Sequence, residues 1–242
     1  MGISRRTLVL GGAGLAGAGV AGALTPRGRR FLGWTGPDGV VPDVPPAPVS
    51  PTPWGAWMGT AGPVVLVLHG RGGSVRWWED FGLPRFLAAS GFELRFAVVQ
   101  GGEDYWVDLV PPVPFEACLG ISMGGFGVLD IATRQRPRAV AAISPALFGS
   151  WEDAAHINGF ASREVWEAHE PLRHAASIDS PVGIWCGRED PFHDTAAELA
   201  RTARAQVGSF DHGAHDTGYW RRVLPEAVRF IGEHLAGHRA GA

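Results

Sequence analysis

The feature that most restricts what this chain can become is Gly120-Ile121-Ser122-Met123-Gly124. An apolar run from Glu116 to Ile121 enters it without a spacer, and a helical pattern leaves it near Gly124-Gly125 and continues to about Gln135. A strand that turns into a helix within two residues needs small residues on both sides of the turn, because a Cβ at 120 or 124 would strike neighbouring backbone. The turn thrusts Ser122 out of the end of a sheet, beside the positive end of the following helix, which is the context of a nucleophile elbow.

The rest of the chain fits a layered α/β domain. Pro63 to Leu68 is a continuous apolar run rich in branched residues, as expected of a strand buried on both faces of a parallel sheet. Glu93 to Val99, Ala139 to Ile143 and Val182 to Cys186 repeat the pattern. Trp77 to Ser90, a segment starting near Asp194 and Tyr219 to Ala236 read as helices, with Pro225 kinking the last or marking its first turn. Strands alternating with helices predict a mostly parallel central sheet flanked by helices on both faces.

Ahead of this lies MGISRRTLVLGGAGLAGAGVAGALTPRGRR, in which the pair Arg5-Arg6 precedes an apolar run from Leu8 to Ala23. The run is glycine-broken and shorter than the roughly 20 residues of a spanning helix. Ala21-Gly22-Ala23 offers a cleavage signal. Residues 1–23 resemble a twin-arginine export leader, which implies an exported protein in transient contact with that machinery, or a membrane-attached one if the leader is retained. Residues 24–53 include VPDVPPAPVSPTP and read as a proline-rich linker, too rich in proline for helix or ladder pairing; the catalytic domain is expected at 54–242.

Composition excludes several chemistries. Among the 242 residues there is no lysine, which removes Schiff-base chemistry, a Walker-type phosphate loop and a Ser-Lys dyad. A formal net charge of -3 provides no basic footprint for nucleic acid. Cys118 and Cys186 sit in apolar runs and read as buried thiols, without the neighbours a zinc site needs. No metal and no cofactor are expected.

With Ser122 as nucleophile, its partners should follow in chain order. Asp190 stands beyond the strand Val182–Cys186 and is the expected acid, with Glu189 and Asp194 as alternatives. The base comes from Asp211-His212-Gly213-Ala214-His215-Asp216, where His215 and His212 both qualify by spacing and His215 has the more flexible approach. The order Ser122, Asp190, His215 is that of α/β-hydrolases. Leu68-His69-Gly70-Arg71-Gly72-Gly73 matches an oxyanion loop, so the backbone N–H groups of Arg71 and Met123 are expected to hold the oxyanion, with His69 orienting the loop.

These motifs, HGRGG, GISMGGFGVLD, the Gly187–Asp190 loop and GAHDTGYWRRVLPEAVRF, together resemble the esterase family that contains esterase D and the antigen 85 mycolyltransferases. Within it the chain is similar to small twin-arginine-exported hydrolases of high-GC actinobacteria, over about residues 63–233. The resemblance implies the α/β-hydrolase fold, a serine esterase acting on a small-molecule or lipid ester, and His215 rather than His212 as the base. It also implies substrate contacts at His69, Gly70, Tyr105 and Trp106, although the chain continues Val107-Asp108 where relatives carry a histidine. An acyltransferase passing the acyl group to an alcohol is the alternative, and a non-catalytic cell-envelope binding protein on the same scaffold a further one. Trp77, Trp78, Tyr105, Trp106, Phe126, Phe148, Trp151, Phe160, Trp166 and Phe192 cluster near the site loops, with residues 148–174 as the cap segment; they are either core and helix-packing residues or, several of them, the lining of an apolar acyl pocket.

Overall fold

The computed structural model describes residues 36–101, 106–107 and 109–236. The expected leader, the first part of the linker and Tyr105 lie outside the described residues. In chain order the elements are β1 (Val49–Thr52), β2 (Gly55–Met58), β3 (Val64–Leu68), α1 (Val75–Phe81), α2 (Leu83–Ala89), β4 (Arg95–Val99), β5 (Ala117–Ile121), α3 (Met123–Arg134) and β6 (Ala139–Ile143). There follow α4 (Trp151–Ala155), α5 (Arg163–His169), α6 (Pro171–His174), β7 (Val182–Trp185), α7 (His193–Thr202), β8 (Val207–Ser209) and α8 (Thr217–Ala236).

The strands form one 8-stranded sheet in the order β1-β2-β4-β3-β5-β6-β7-β8. From β4 through β8 every pairing is parallel, while β1 and β2 run antiparallel at one edge. Side chains alternate between two cores, as the twofold period of a strand requires. Leu66, Leu68, Cys118, Val140 and Ala142 face α3, α7 and the segment from 146 to 178. Val65, Val67, Leu119, Ala141 and Ile143 face α1, α2 and α8. Both thiols are buried and free.

Several boundaries differ from the sequence reading, each for a local reason. The helix expected over Trp77–Ser90 is two helices, because Gly82 adopts a left-handed φ of 94° that closes α1 and starts α2 at a new angle. Ser74 caps α1 by accepting from the Trp77 N–H. Pro225 neither starts nor ends α8, which runs through it for 20 residues. The proline-rich segment does pair: β1 hydrogen-bonds to β2 with Pro51 opposite Ala56. An edge strand leaves one side without ladder bonds, so proline is tolerated there, and the expectation that proline forbids pairing is corrected.

The segment from Phe148 to His174 is fastened by Glu170, which is fully buried. Its Oε2 accepts from the Phe148 N–H at 3.2 Å and the Trp166 indole N–H at 3.0 Å, and its Oε1 caps α6 through the Leu172 N–H at 3.2 Å. Burial pushes this carboxyl up to about 7 against those three donors. A raised acid binds more protons in the folded than in the unfolded chain between the ordinary carboxylate range and about 7. Its contribution to stability is therefore present at low pH and lost as pH rises through that window. Relative to Glu170→Gln, which does not titrate, the parent is expected to lose on the order of 3 kcal/mol between pH 4.5 and pH 8. Urea unfolding of both proteins across that range checks it; a parent-to-variant difference independent of pH is the contrary result.

Candidate active site

Ser122 sits between β5 and α3 at φ 56°, ψ −116°, a backbone conformation that side chains rarely adopt. Three backbone hydrogen bonds hold it there. Its N–H donates to Ile143 at 3.0 Å, and its carbonyl accepts from Phe126 at 3.0 Å and Ala146 at 3.1 Å. A Cβ on Gly120 would lie 2.0 Å from the Gly124 carbonyl oxygen, and one on Gly124 would lie 2.2 Å from that of Leu68. The turn is thus closed against any larger residue at either position. The N–H of Met123 opens α3 next to the serine, among the helix donors that have no partner within the helix.

The loop after β3 crosses over the serine. A Cβ on Gly70 would be 3.4 Å from the Cβ of Ser122. His69 is fully buried beneath the loop. Its Nδ1–H donates to the Gly70 carbonyl at 2.7 Å and its Nε2 accepts from the Gly101 N–H at 3.3 Å, an assignment fixed by those two partners. Burial holds its pKa below the ordinary histidine value, so the ring is neutral and serves as a brace. The Gly73 N–H returns to the Gly70 carbonyl at 2.9 Å and completes the turn, leaving Arg71 at the rim of the cleft.

Two further loops are zipped together to bring the acid and the imidazole to Ser122. The Arg188 N–H donates to Asp211 and the Glu189 N–H to Gly213, both at 2.9 Å. The buried Glu189 carboxylate accepts from the Gly213 N–H at 2.8 Å and pairs with His212 Nδ1 at 3.1 Å. A Cβ on Gly187 would be 2.1 Å from the Gly213 carbonyl oxygen, so that close approach requires glycine. The result is a relay: His215 Nε2 lies 2.9 Å from Ser122 Oγ, and His215 Nδ1 lies 2.8 Å from Asp190 Oδ2. The other oxygen of Asp190 accepts from the Phe192 N–H at 2.9 Å, which fixes the carboxylate plane. The ring of His215 is held edge-on between Trp220 at 5.0 Å and Phe192 at 5.4 Å.

The structure therefore joins Ser122, His215 and Asp190, and it separates the alternatives. His212 is engaged by Glu189, and Asp194 is exposed and paired with His193. Chemically, the relay can deprotonate a hydroxyl, keep the resulting imidazolium beside a buried carboxylate and return the proton to a leaving group.

The cleft over Ser122 has a volume of about 400 Å³ and is lined by residues 70–73, Trp77, Ser122, His215 and Trp220. Gly70 lines that cleft. His69 and Trp106 are buried and do not line it, which corrects their expected role as substrate contacts. His69 braces the loop from beneath, while Trp106 is buried among Phe126 at 5.1 Å, Phe160 at 5.6 Å and Phe148 at 5.9 Å. These aromatics pack as core beneath the 148–174 segment, while Trp77 and Trp220 line the cleft over Ser122. Sequence reasoning missed Trp220 as a cleft wall, although its position five residues after His215 in a helix was visible. It also missed Glu189 as the brace of the histidine loop, for which the adjacent Asp190 was the only cue.

No family model and no curated protein matches the sequence. Among solved structures the chain is similar to a ferulic acid esterase, with a TM-score of 0.54 and 19% identity over 72% of this chain and 85% of that one. It is similar to an S-formylglutathione hydrolase from Agrobacterium tumefaciens, with a TM-score of 0.56 and 15% identity over 72% of this chain and 84% of the other. A third is Est1E from Butyrivibrio proteoclasticus, with a TM-score of 0.55 and 15% identity over 79% of this chain and all of that one. At these identities the likeness is one of architecture, and with the sheet order and helix layers described above it establishes that the chain has the α/β-hydrolase fold.

Proposed function

We propose that this chain is a serine hydrolase that cleaves carboxylic esters of compact acyl groups. The observation that carries the reading is the continuous relay from Ser122 through His215 to Asp190, at 2.9 and 2.8 Å, opening on a cleft bounded by a glycine-rich loop. In the first step His215 Nε2 takes the Ser122 proton as Oγ attacks the acyl carbon. Asp190 holds the tautomer and stabilises the imidazolium, and the N–H groups of Arg71 and Met123 receive the oxyanion. His215 then protonates the departing alcohol. Water attacks the acyl-enzyme by the same route in reverse, and the free acid leaves. An acceptor alcohol in place of water would make the same machinery an acyltransferase.

The preference for compact acyl groups follows from packing. The space beneath the 148–174 segment is filled by buried aromatics, so the substrate is confined between the Gly70–Gly73 loop, Trp77 and Trp220. We also propose that residues 1–23 direct export and that the substrate is met outside the cytoplasm, on the twin-arginine pattern of Arg5-Arg6.

A p-nitrophenyl ester series of increasing acyl length, with and without an added alcohol, tests the reading alongside labelling by a fluorophosphonate probe. Acetyl and butyryl esters should be turned over faster than octanoyl ones, and the label should map to Ser122. The free acid should remain the main product when alcohol is present. Labelling elsewhere, or a preference for long chains, would sink the proposal, and a dominant transfer product would replace hydrolysis by acyl transfer.

A further inference from the structure

We propose that residues 36–39 form a positioning element for the histidine loop, and that Arg222 transmits their docking to it. The inference rests on His215 being the base.

The peptide unit joining His212 to Gly213 is held at both ends by charged groups. Its N–H donates to the Glu189 carboxylate at 2.8 Å, and its carbonyl accepts from the Arg222 guanidinium. The orientation of that peptide is thus set from two sides, two residues before His215. Glu189 is fixed within the domain core. Arg222 is a half-buried side chain whose other nitrogen donates to the Pro37 carbonyl at 2.7 Å. Its guanidinium also lies 5.2 Å from the centre of the Tyr219 ring, and that ring occupies the space beside Gly213 where a Cβ would stand 2.0 Å from Tyr219 Cδ2. One planar fork therefore spans a carbonyl of the N-terminal arm and a carbonyl of the histidine loop. A guanidinium can do this because its donors diverge at fixed angles, which an ammonium lacks.

The arm is also seated on the backbone of α8. The Gly39 N–H donates to the Gly218 carbonyl at 2.8 Å. The Asp38 carboxylate lies against Gly218, 2.0 Å from where a Cβ there would stand. Gly39 fits so closely that its own Cβ would lie 2.0 Å from the Arg222 backbone nitrogen. Arm, Arg222 and loop form a chain of contacts that ends on the base. A displacement of His215 by about 1 Å is enough to cost up to about a hundredfold in turnover.

The experiment uses the full chain with Gly39→Ala, which lifts the arm, with Arg222→Ala and Arg222→Lys, which remove the fork, and with the Gly39→Ala/Arg222→Ala pair. Each single variant is expected to lower kcat on the acetyl ester about tenfold, with KM within about twofold of the parent. The rate of fluorophosphonate labelling at Ser122 should fall by the same factor. Arg222→Lys retains the charge and guards against a folding defect; it should fold and still lose turnover. The double variant should lose no more than Arg222→Ala alone, since both act through one linkage. Gly39→Ala and Arg222→Lys variants that melt earlier but turn over like the parent would overturn the proposal, as would losses that multiply in the double variant. Ser122→Ala is run in parallel. If it stays active, the catalytic reading fails; if it is inactive while the arm variants match the parent, only the arm proposal fails.

Discussion

Replacing Ser122 by alanine is expected to lower kcat on a short-chain ester by about 10⁴- to 10⁶-fold while leaving a folded, soluble protein. The size follows from the proposed division of labour. With the hydroxyl gone no acyl-enzyme forms, and what remains is the weaker assistance of the oxyanion donors and of binding. His215→Ala should cost a comparable factor, because a serine hydroxyl is a poor nucleophile until the imidazole 2.9 Å away accepts its proton. The double variant should be little worse than either single one, since the groups act as a unit. Folding should survive, because the strained backbone at Ser122 is held by main-chain bonds to Ile143, Phe126 and Ala146 that alanine retains. His212→Ala, by contrast, should cost less than about tenfold, its ring being engaged by Glu189 rather than by the serine. Initial rates for the four proteins, with circular dichroism as the folding check, decide it. Equal losses at His212 and His215 would contradict the assignment of the base.

Gly120→Ala is expected to have the largest effect on the fold itself, about 3 kcal/mol of lost stability together with most of the activity. The added methyl would stand 2.0 Å from the Gly124 carbonyl oxygen and 2.7 Å from the Gly125 nitrogen. Those atoms belong to the first turn of α3 and cannot rotate aside as a flexible side chain would. Relief requires the helix to move away from β5, and the start of that helix carries the Met123 N–H. Stability and turnover should therefore fall together. Gly72→Ala is the instructive control for space, since nothing lies within 4 Å of a Cβ there. Its φ of 70° still makes it mildly unfavourable. Denaturant unfolding with parallel assays checks the pair; a Gly120→Ala protein as stable as the parent would show that α3 can slide without cost.

How much of this was legible beforehand depends on how local the signal is. The buried strands β3, β5 and β6 announced themselves because a strand covered on both faces must be apolar throughout, whatever packs against it. The elbow was equally plain, since its glycines answer to backbone atoms only a few residues away. The short strands β1, β2 and β8 were not read, because strands of 3 to 4 residues, one of them carrying Pro51, have too little pattern to stand out from loop. The split at Gly82 was hidden for a different reason. Its left-handed φ closes one helix and starts the next with no spacer, and a single glycine inside a helical pattern does not reveal that.

The site divides along the same line. Sequence alone determined the layered α/β architecture, the serine at the strand-to-helix turn and the order in which acid and histidine must follow, because these are consequences of local backbone geometry and of periodic burial. The tertiary structure brings His215, the histidine the sequence already favoured, to the hydroxyl, and it alone decided that Glu189 and Arg222 grip one peptide ahead of it and that the cap aromatics are core while Trp77 and Trp220 wall the cleft. Those choices are made among side chains of like chemistry at neighbouring positions, and what separates them is a few ångströms of placement fixed by distant segments packing together.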